Sequence, residues 1–217
     1  NVVIDLNIPY ITGAEGYVFH NGHCVIHNNK RDKFGLIDKK GNWMLKAEYD
    51  AISPKDSFFV VSKGGMQSVL TENLKPILPF MEADLWISGN SITATMKDHT
   101  LRKYNLQGEL IDDFLISNVD RLLYDTDEIR YTTAKNYDYE GNLTGETAEA
   151  EPTPYQKTAN CKKYEADIGW YGLMSPSGKV ITPPRYCDIT AIGYDLYLCK
   201  TDDIRGEVLN GKGVRVK

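Results

Sequence analysis

Two twelve-residue segments starting 137 positions apart share one pattern: FGLIDKKGNWML from Phe34 and YGLMSPSGKVIT from Tyr171. Each reads aromatic, Gly, Leu, apolar, polar or small, two variable residues, Gly, then a second apolar stretch. Each is followed by an extended segment ending in tyrosine, Tyr49-Asp50-Ala51-Ile52 in the first and Tyr186-Cys187-Asp188-Ile189 in the second. Self-similarity of this kind dictates the architecture, because repeats bury their apolar faces on one another rather than alone.

The interval from Gly41 to Gly178 divides into four nearly equal steps through Asn73-Leu74, Gly108 and Gly141, and Asn210-Gly211 adds a last turn. With Leu74 and Gly211 as markers the steps are 33, 34, 33, 37 and 33 residues, so six turn-centred units cover nearly the whole chain. Within a unit the order is short apolar strand, polar turn, short apolar strand. Gly at the turn permits positive φ, and Asp, Asn and Lys flank it in water, as a hairpin requires. Cys24 to Ile26, Phe58 to Val61 and Tyr194 to Cys199 read as strands, being short and rich in Val, Ile, Leu, Tyr and Phe. Leu85 to Ile92 and Asp112 to Tyr124 are compatible with short helices, but the repeat register favours strands. The expected fold is all-β: tandem antiparallel β-hairpin repeats in a twisted or solenoid-like array, with a six-unit propeller-like ring as the alternative. We expect a single domain over residues 1–217, with an irregular exposed loop near 146–157. There ETAEAEPTPYQK brings acids together with Pro152 and Pro154, which lack backbone donors.

The two strong units resemble the WG repeat family. The resemblance rests on Phe34-Gly35-Leu36-Ile37-Asp38-Lys39-Lys40-Gly41 with Tyr49-Asp50, and on Trp170-Tyr171-Gly172-Leu173-Met174 through Gly178 with Pro183-Pro184-Arg185-Tyr186. Phe34 and Tyr171 stand where that family has Trp before Gly, and the middle units lose the Gly. The resemblance implies β hairpins, a binding or scaffolding role in bacteria, and a secreted or cell-envelope location. It brings no catalytic residues. Physically, Phe34 and Tyr171 are expected to cover a neighbouring unit's core, while Gly35 and Gly172 let a backbone or ring approach closely. Tyr49 and Tyr186 are expected to bury their rings and to place their hydroxyls on backbone partners.

Charge and length narrow the function classes. Lys and Arg number 25 against 30 Asp and Glu, a formal charge of −5, which gives no electrostatic reason for attraction to nucleic acid. The longest apolar runs, such as Phe58 to Val61, are far short of the roughly 18 residues needed to span a bilayer. The chain begins at Asn1 rather than Met, which reads as a processed or excised chain. Cys24, Cys161, Cys187 and Cys199 fit no ordinary zinc or redox spacing and read as free or buried thiols, with one disulfide as the alternative.

The nearest approach to a metal site lies in Tyr17 to His27, where His20, His23, Cys24 and His27 offer ligand atoms. Asn21-Gly22 is a hairpin signal that puts His20 and His23 at its shoulders. On the strand beyond it His23 and His27 share a face while Cys24 points away. Asp125-Thr126-Asp127-Glu128 lacks the spacing and internal Gly of a calcium loop, and Asp112-Asp113 and Asp202-Asp203 read as solvated pairs. Asn142-Leu143-Thr144 matches the short glycosylation acceptor pattern. No serine sits in a nucleophile elbow, His23 beside Cys24 lacks an orienting group, and no phosphate or dinucleotide fingerprint occurs. We therefore expect no catalytic, cofactor or metal residues. The first expectation is a non-enzymatic binding or scaffolding module for a protein or a glycan, including a cell-surface polymer. The rival is a hydrolase of polysaccharide or peptide whose groups converge from separate turns.

Overall fold

The structure, a computed structural model, describes residues 19–28, 30, 32–151 and 154–216. Tyr17, Val18 and Pro152, singled out above, lie outside them. The chain divides into two compact units, Asn1–Leu115 and Ile116–Lys217, where one domain is expected from sequence. The boundary falls between two strands, and each unit has its own buried clusters.

The first unit holds three four-stranded antiparallel sheets. The first sheet is β1 (Phe19–His20), β2 (His23–His27), β3 (Phe34–Asp38) and β4 (Trp43–Tyr49). The second is β5 (Ala51–Lys55), β6 (Phe58–Lys63), β7 (Met66–Thr71) and β8 (Pro76–Met81). The third is β9 (Ala83–Ser88), β10 (Ser91–Met96), β11 (Leu101–Asn105) and β12 (Leu110–Leu115). In each, chain order is spatial order, as four-stranded meanders joined by tight turns require. Alternation along the strands builds the cores: in β9, Ala83, Leu85 and Ile87 are buried between exposed Asp84, Trp86 and Ser88. Leu36, Ile52, Phe59, Val61 and Leu70 form one buried cluster that joins the first sheet to the second. Val69, Leu78, Leu85, Ile87 and Ile92 form another that joins the second to the third. Burying each such side chain contributes about 1.5–3 kcal/mol.

The second unit contains β13 (Asn118–Asp125), β14 (Tyr131–Tyr137), β15 (Leu143–Ala150), β16 (Gln156–Glu165), β17 (Tyr171–Met174), β18 (Asp188–Gly193), β19 (Leu196–Lys200) and β20 (Gly206–Asn210). β13, β16 and β17 form one sheet, completed by a bridge from Met174 to Val180; β18 to β20 form another, completed by a bridge from Leu209 to Arg215. Leu122, Cys161, Leu173, Tyr186, Ile189, Tyr197 and Leu209 are buried together between them. β14 and β15 pair only with each other. None of the six sheets formed by the described residues is closed, and both segments compatible with helix, 85–92 and 112–124, fall largely in strands.

The six repeat turns share one design. At Asp38, Thr71, Asn105, Asp138, Ser175 and Asn210 the amide donates to the carbonyl four residues on and the carbonyl accepts from the amide three residues on. The side-chain oxygen of each accepts the amide of the fourth residue, as in Asn42 N–H to Asp38 Oδ1 at 2.9 Å and Lys179 N–H to Ser175 Oγ at 3.0 Å. The residue three on takes a left-handed conformation: Gly41, Leu74, Gly108, Gly141, Gly178 and Gly213. The last turn thus corrects the sequence reading. Asn210 opens it and Gly213, at φ 74°, is its left-handed residue. A Cβ on Gly211 would instead lie 2.0 Å from Asp195 Oδ1, so its smallness serves packing.

Residues 146–157 also differ from expectation. Glu146 to Ala150 belong to β15, and Gln156 and Lys157 begin β16. The acids, threonines and alanines suit a strand whose two faces both meet water, which is how β15 lies along its whole length. Pro154 is confined to the connection, where its missing N–H costs no ladder bond.

Candidate binding surface

The two strong repeats superpose in register. Phe34 pairs with Tyr49 and Ile37 with Trp43 in the first unit, and Tyr171 with Tyr186 and Met174 with Val180 in the second, at the same sequence offset. The outer strand is continuous in the first case and reduced to two bridges in the second. Pro183 and Pro184 explain the difference, since neither can donate to a ladder. Thr182 substitutes there: its Oγ1 accepts the Leu173 amide at 2.9 Å.

Both glycines are contact glycines, as the sequence implies. A Cβ on Gly172 would lie 2.5 Å from the Tyr164 ring, and one on Gly35 2.5 Å from Leu45 O and 2.6 Å from the Trp43 ring. Phe34 and Tyr171 are half-buried against the cores. The family of WG-containing repeats matches residues 34–66 and 171–203. Two stretches of this chain are WG-containing repeats. Each WG repeat straddles two sheets, the first taking β3 and β4 of one and β5 and β6 of the next, the second taking β17 with its bridged continuation and then β18 and β19, so the covalent repeat itself ties neighbouring sheets together.

No curated protein matches the chain. Among solved structures it is similar to the computationally designed Ika8 protein, at 16% identity over 92% of this chain and 71% of that one, with a TM-score of 0.31. It is similar to BamB from Moraxella catarrhalis at 12% identity over 90% and 70%, TM-score 0.30. For Hsv2p of Kluyveromyces lactis the figures are 10%, 88%, 58% and 0.32.

The residues with chemistry of their own are spent on structure. Tyr186 is fully buried, and its hydroxyl donates to Glu207 Oε1 at 2.7 Å while accepting from Arg185 at 2.7 Å. Its partners are charged side chains, whereas the sequence reading expects a backbone group. Burial, then the Glu207 hydrogen bond, pushes this phenol up to about 12. Its counterpart Tyr49 is half-buried, with the Lys63 ammonium 5.7 Å from its ring centroid.

His20 and His23 flank the Asn21-Gly22 turn, with both turn residues at positive φ. The His23 ring meets Phe59 edge-on at 5.6 Å, and His27 is buried with Nδ1 2.9 Å from Asn28 O. Cys24 points to the other face, into a cluster with Ile26 and Ile37. Burial raises the Cys24, Cys161 and Cys199 thiols, Cys199 to about 12, so the thiolate is disfavoured in all three. All four cysteines are free. Among the described residues no three His, Cys, Asp or Glu side chains converge on a metal-sized site. Asp125 and Glu128 engage Gln156 and Lys157, Asp202 closes a turn with Arg205, and Asp112 accepts the Phe114 amide.

Among the described residues of the first unit, a row on the third sheet that repeat pairing alone defines is partly open, with Trp86 exposed and Thr93, Lys103 and Asp112 half-buried. On the second sheet Ser53, Val60, Val69 and Leu78 lie side by side across β5 to β8. One repeat later the same row is Trp86, Thr93, Lys103 and Asp112 across β9 to β12. Val60, Val69 and Leu78 are packed towards the third sheet; their successors are polar, and Trp86 is 60% exposed. Four strands at about 4.8 Å spacing make the row about 14 Å long. It presents an aromatic face, a hydroxyl, an ammonium and a carboxylate in line. Beside it Asp84 is held by Gln67, whose Nε2 donates to Asp84 Oδ1 at 3.1 Å and whose Oε1 accepts the Leu85 amide at 2.7 Å. On the far edge strand Leu110 and Ile111 are also exposed. Ile77, one repeat before Ile111, is covered by the Gly108 turn: a Cβ there would lie 2.4 Å from Ile77 O. Reading the strands at the repeat offset gives the switch from Ser-Val-Val-Leu to Trp-Thr-Lys-Asp, but only once the strand registers are known.

Proposed function

We propose that this chain is a non-enzymatic binding or scaffolding module that engages a protein ligand across the outer face of its third sheet. The observation that carries this is the replacement of a core-forming apolar row by Trp86, Thr93, Lys103 and Asp112, with Trp86 left 60% exposed. A partly solvated Trp ringed by groups able to hydrogen-bond is the composition of interface hot spots. Exposed Leu110 and Ile111 lie on the far edge strand of the same sheet. A hydrolase is the weaker reading: the one adjacent thiol and imidazole, Cys24 and His23, lie on opposite faces of β2, and the Cys24 thiol is raised by burial.

The test is selection of a phage-displayed twelve-residue peptide library on the immobilised chain, with purified peptidoglycan, cellulose and chitin run as pull-downs beside it. Selected peptides that bind the intact chain and lose about tenfold or more in affinity with Trp86→Ala support the proposal. Trp86-dependent binding of a polysaccharide alone would replace the protein ligand with a glycan that stacks on the ring. Binding of nothing, or binding indifferent to Trp86 and Ile111→Ser, would overturn it.

A further inference from the structure

The hairpin β14–β15 departs from every other repeat hairpin of the chain. It carries the fourth repeat turn, Asp138 to Asn142, with the same bonding as the others. Yet among the described strands it belongs to no larger sheet, and its side chains are exposed along both strands except at Ala134. A Cβ on the turn's Gly141 would meet nothing within 4 Å, as at Gly178, whereas the turn glycines Gly108 and Gly213 press on Ile77 and Ile181. The sequence is adapted to this exposure. Where β3 has buried Gly35, Leu36 and Ile37 ahead of the turn at Asp38, β14 has exposed Lys135, Asn136 and Tyr137 ahead of the turn at Asp138.

An isolated two-stranded hairpin is marginal in water, and here polar rungs stand in for a core. Asn136 Nδ2 donates to Thr147 Oγ1 at 2.9 Å, and Thr144 Oγ1 to Asn136 O at 3.0 Å. The base is clamped: the Glu151 amide donates to Arg130 O at 2.8 Å, the Arg130 guanidinium lies 3.4 Å from the Tyr155 ring centroid, and Thr126 Oγ1 donates to Tyr155 O at 2.7 Å. The hairpin is thus held at its root with its length exposed.

Its charge is one-sided. Residues 131–151 hold Asp138, Glu140, Glu146, Glu149 and Glu151 against a single Lys135. Tyr131 and Tyr137 stand exposed on one face with Glu146, which pairs with Lys135, and Tyr139 is exposed at the tip. The outer edge of β15 bears no strand among the described residues. A free edge accepts any strand unless charge refuses it. An acidic edge refuses its own copy and other acidic strands, and admits a basic one.

We propose that the outer edge of β15 is a docking strand for an extended, Lys- or Arg-rich segment of a partner protein. The segment adds as a further strand, its cations facing Glu146 on one face and Glu149 on the other. This deepens the binding-module reading and uses a surface other than the Trp86 row, so the two can fail separately.

The experiment uses the full chain and a fluorescein-labelled octapeptide, Lys-Lys-Val-Thr repeated twice, whose paired lysines face both sides of the sheet. A Glu-for-Lys counterpart and a version with two prolines replacing Val accompany it. The Lys peptide is expected to bind saturably and to slow amide exchange in residues 143–150. Glu146→Lys with Glu149→Lys is expected to weaken it about tenfold or more, while the same charge change at Asp113→Lys with Asp203→Lys shifts affinity by less than about twofold. Equal binding of the proline version, equal loss from the Asp113/Asp203 variant, or unchanged exchange in 143–150 would overturn strand addition. None of those outcomes touches peptides selected through Trp86, and loss of those peptides leaves this experiment intact.

Discussion

Tyr171 and Tyr186 exchange both backbone hydrogen bonds, at 2.7 and 3.1 Å, across a bridge that occupies the same place as the Phe34–Tyr49 pair of the first repeat. Around the second bridge Tyr186 adds a buried hydroxyl anchored by Glu207 and Arg185. Tyr186→Phe is expected to cost about 1–2 kcal/mol, the value of hydrogen bonds to charged partners net of solvation. Tyr186→Ala is expected to cost about 3–5 kcal/mol through the cavity it leaves. Urea denaturation followed by tyrosine and tryptophan fluorescence measures both; equal losses would show the ring to be irrelevant.

The same hydroxyl predicts an alkaline limit. Its folded pKa, pushed up to about 12, lies above the roughly 10 of an unfolded tyrosine. The folded state therefore holds that proton more tightly. Its contribution is complete below about pH 10 and is lost as pH rises towards 12. Stability measured between these values should fall less steeply in Tyr186→Phe than in the parent; parallel curves would refute the assignment.

Gly172→Ala should destabilise by about 1–3 kcal/mol, because the added methyl meets the Tyr164 ring at 2.5 Å, in a core that packs closely. Gly145→Ala, where nothing lies within 4 Å, serves as the matched control and should stay near neutral. Thermal melts of the pair distinguish close approach from a general intolerance of Ala in strands.

Asp38 and Asp138 give the repeat turns an acid limit. The Asn42 side chain, followed by its amide, holds the Asp38 carboxyl below the usual carboxylate range; at Asp138 the Asn142 amide leads and its side chain follows. A carboxyl depressed in the folded state contributes stability above its unfolded value of about 3.9 and loses it as pH falls through the folded value. Asp38→Asn keeps the turn geometry used at Asn105 and Asn210 while removing the titration. Its urea midpoint should therefore vary less between pH 5 and 2, on the order of the range where carboxylates titrate. For Asp138→Asn the readout is amide exchange at Glu140 to Asn142, since the hairpin lies outside the packed cores.

The amino-acid sequence by itself determined the β-hairpin repeat, its period, and five of the six left-handed turn residues. Gly41 and Gly178 are demanded by local backbone conformation, and Gly35 and Gly172 recur beside aromatics, so short-range rules suffice. Misplacement of the last turn at Gly211 shows where local rules end: both glycines of Asn210-Gly211-Lys212-Gly213 are plausible turn formers, and only packing against Asp195 and Ile181 assigns their roles. The loop expected at 146–157 shows the same limit, because Thr, Ala and Glu favour a strand only when β14 is there to pair with it. Tertiary structure alone decided which hairpins share a core and which one stands apart. It also decided that Trp86, Thr93, Lys103 and Asp112, spread over 27 residues of chain, form one row. The reason is physical: turns answer to φ and ψ within four residues, whereas a surface is made by strand register, and register is fixed by side chains distant in sequence competing for the same core.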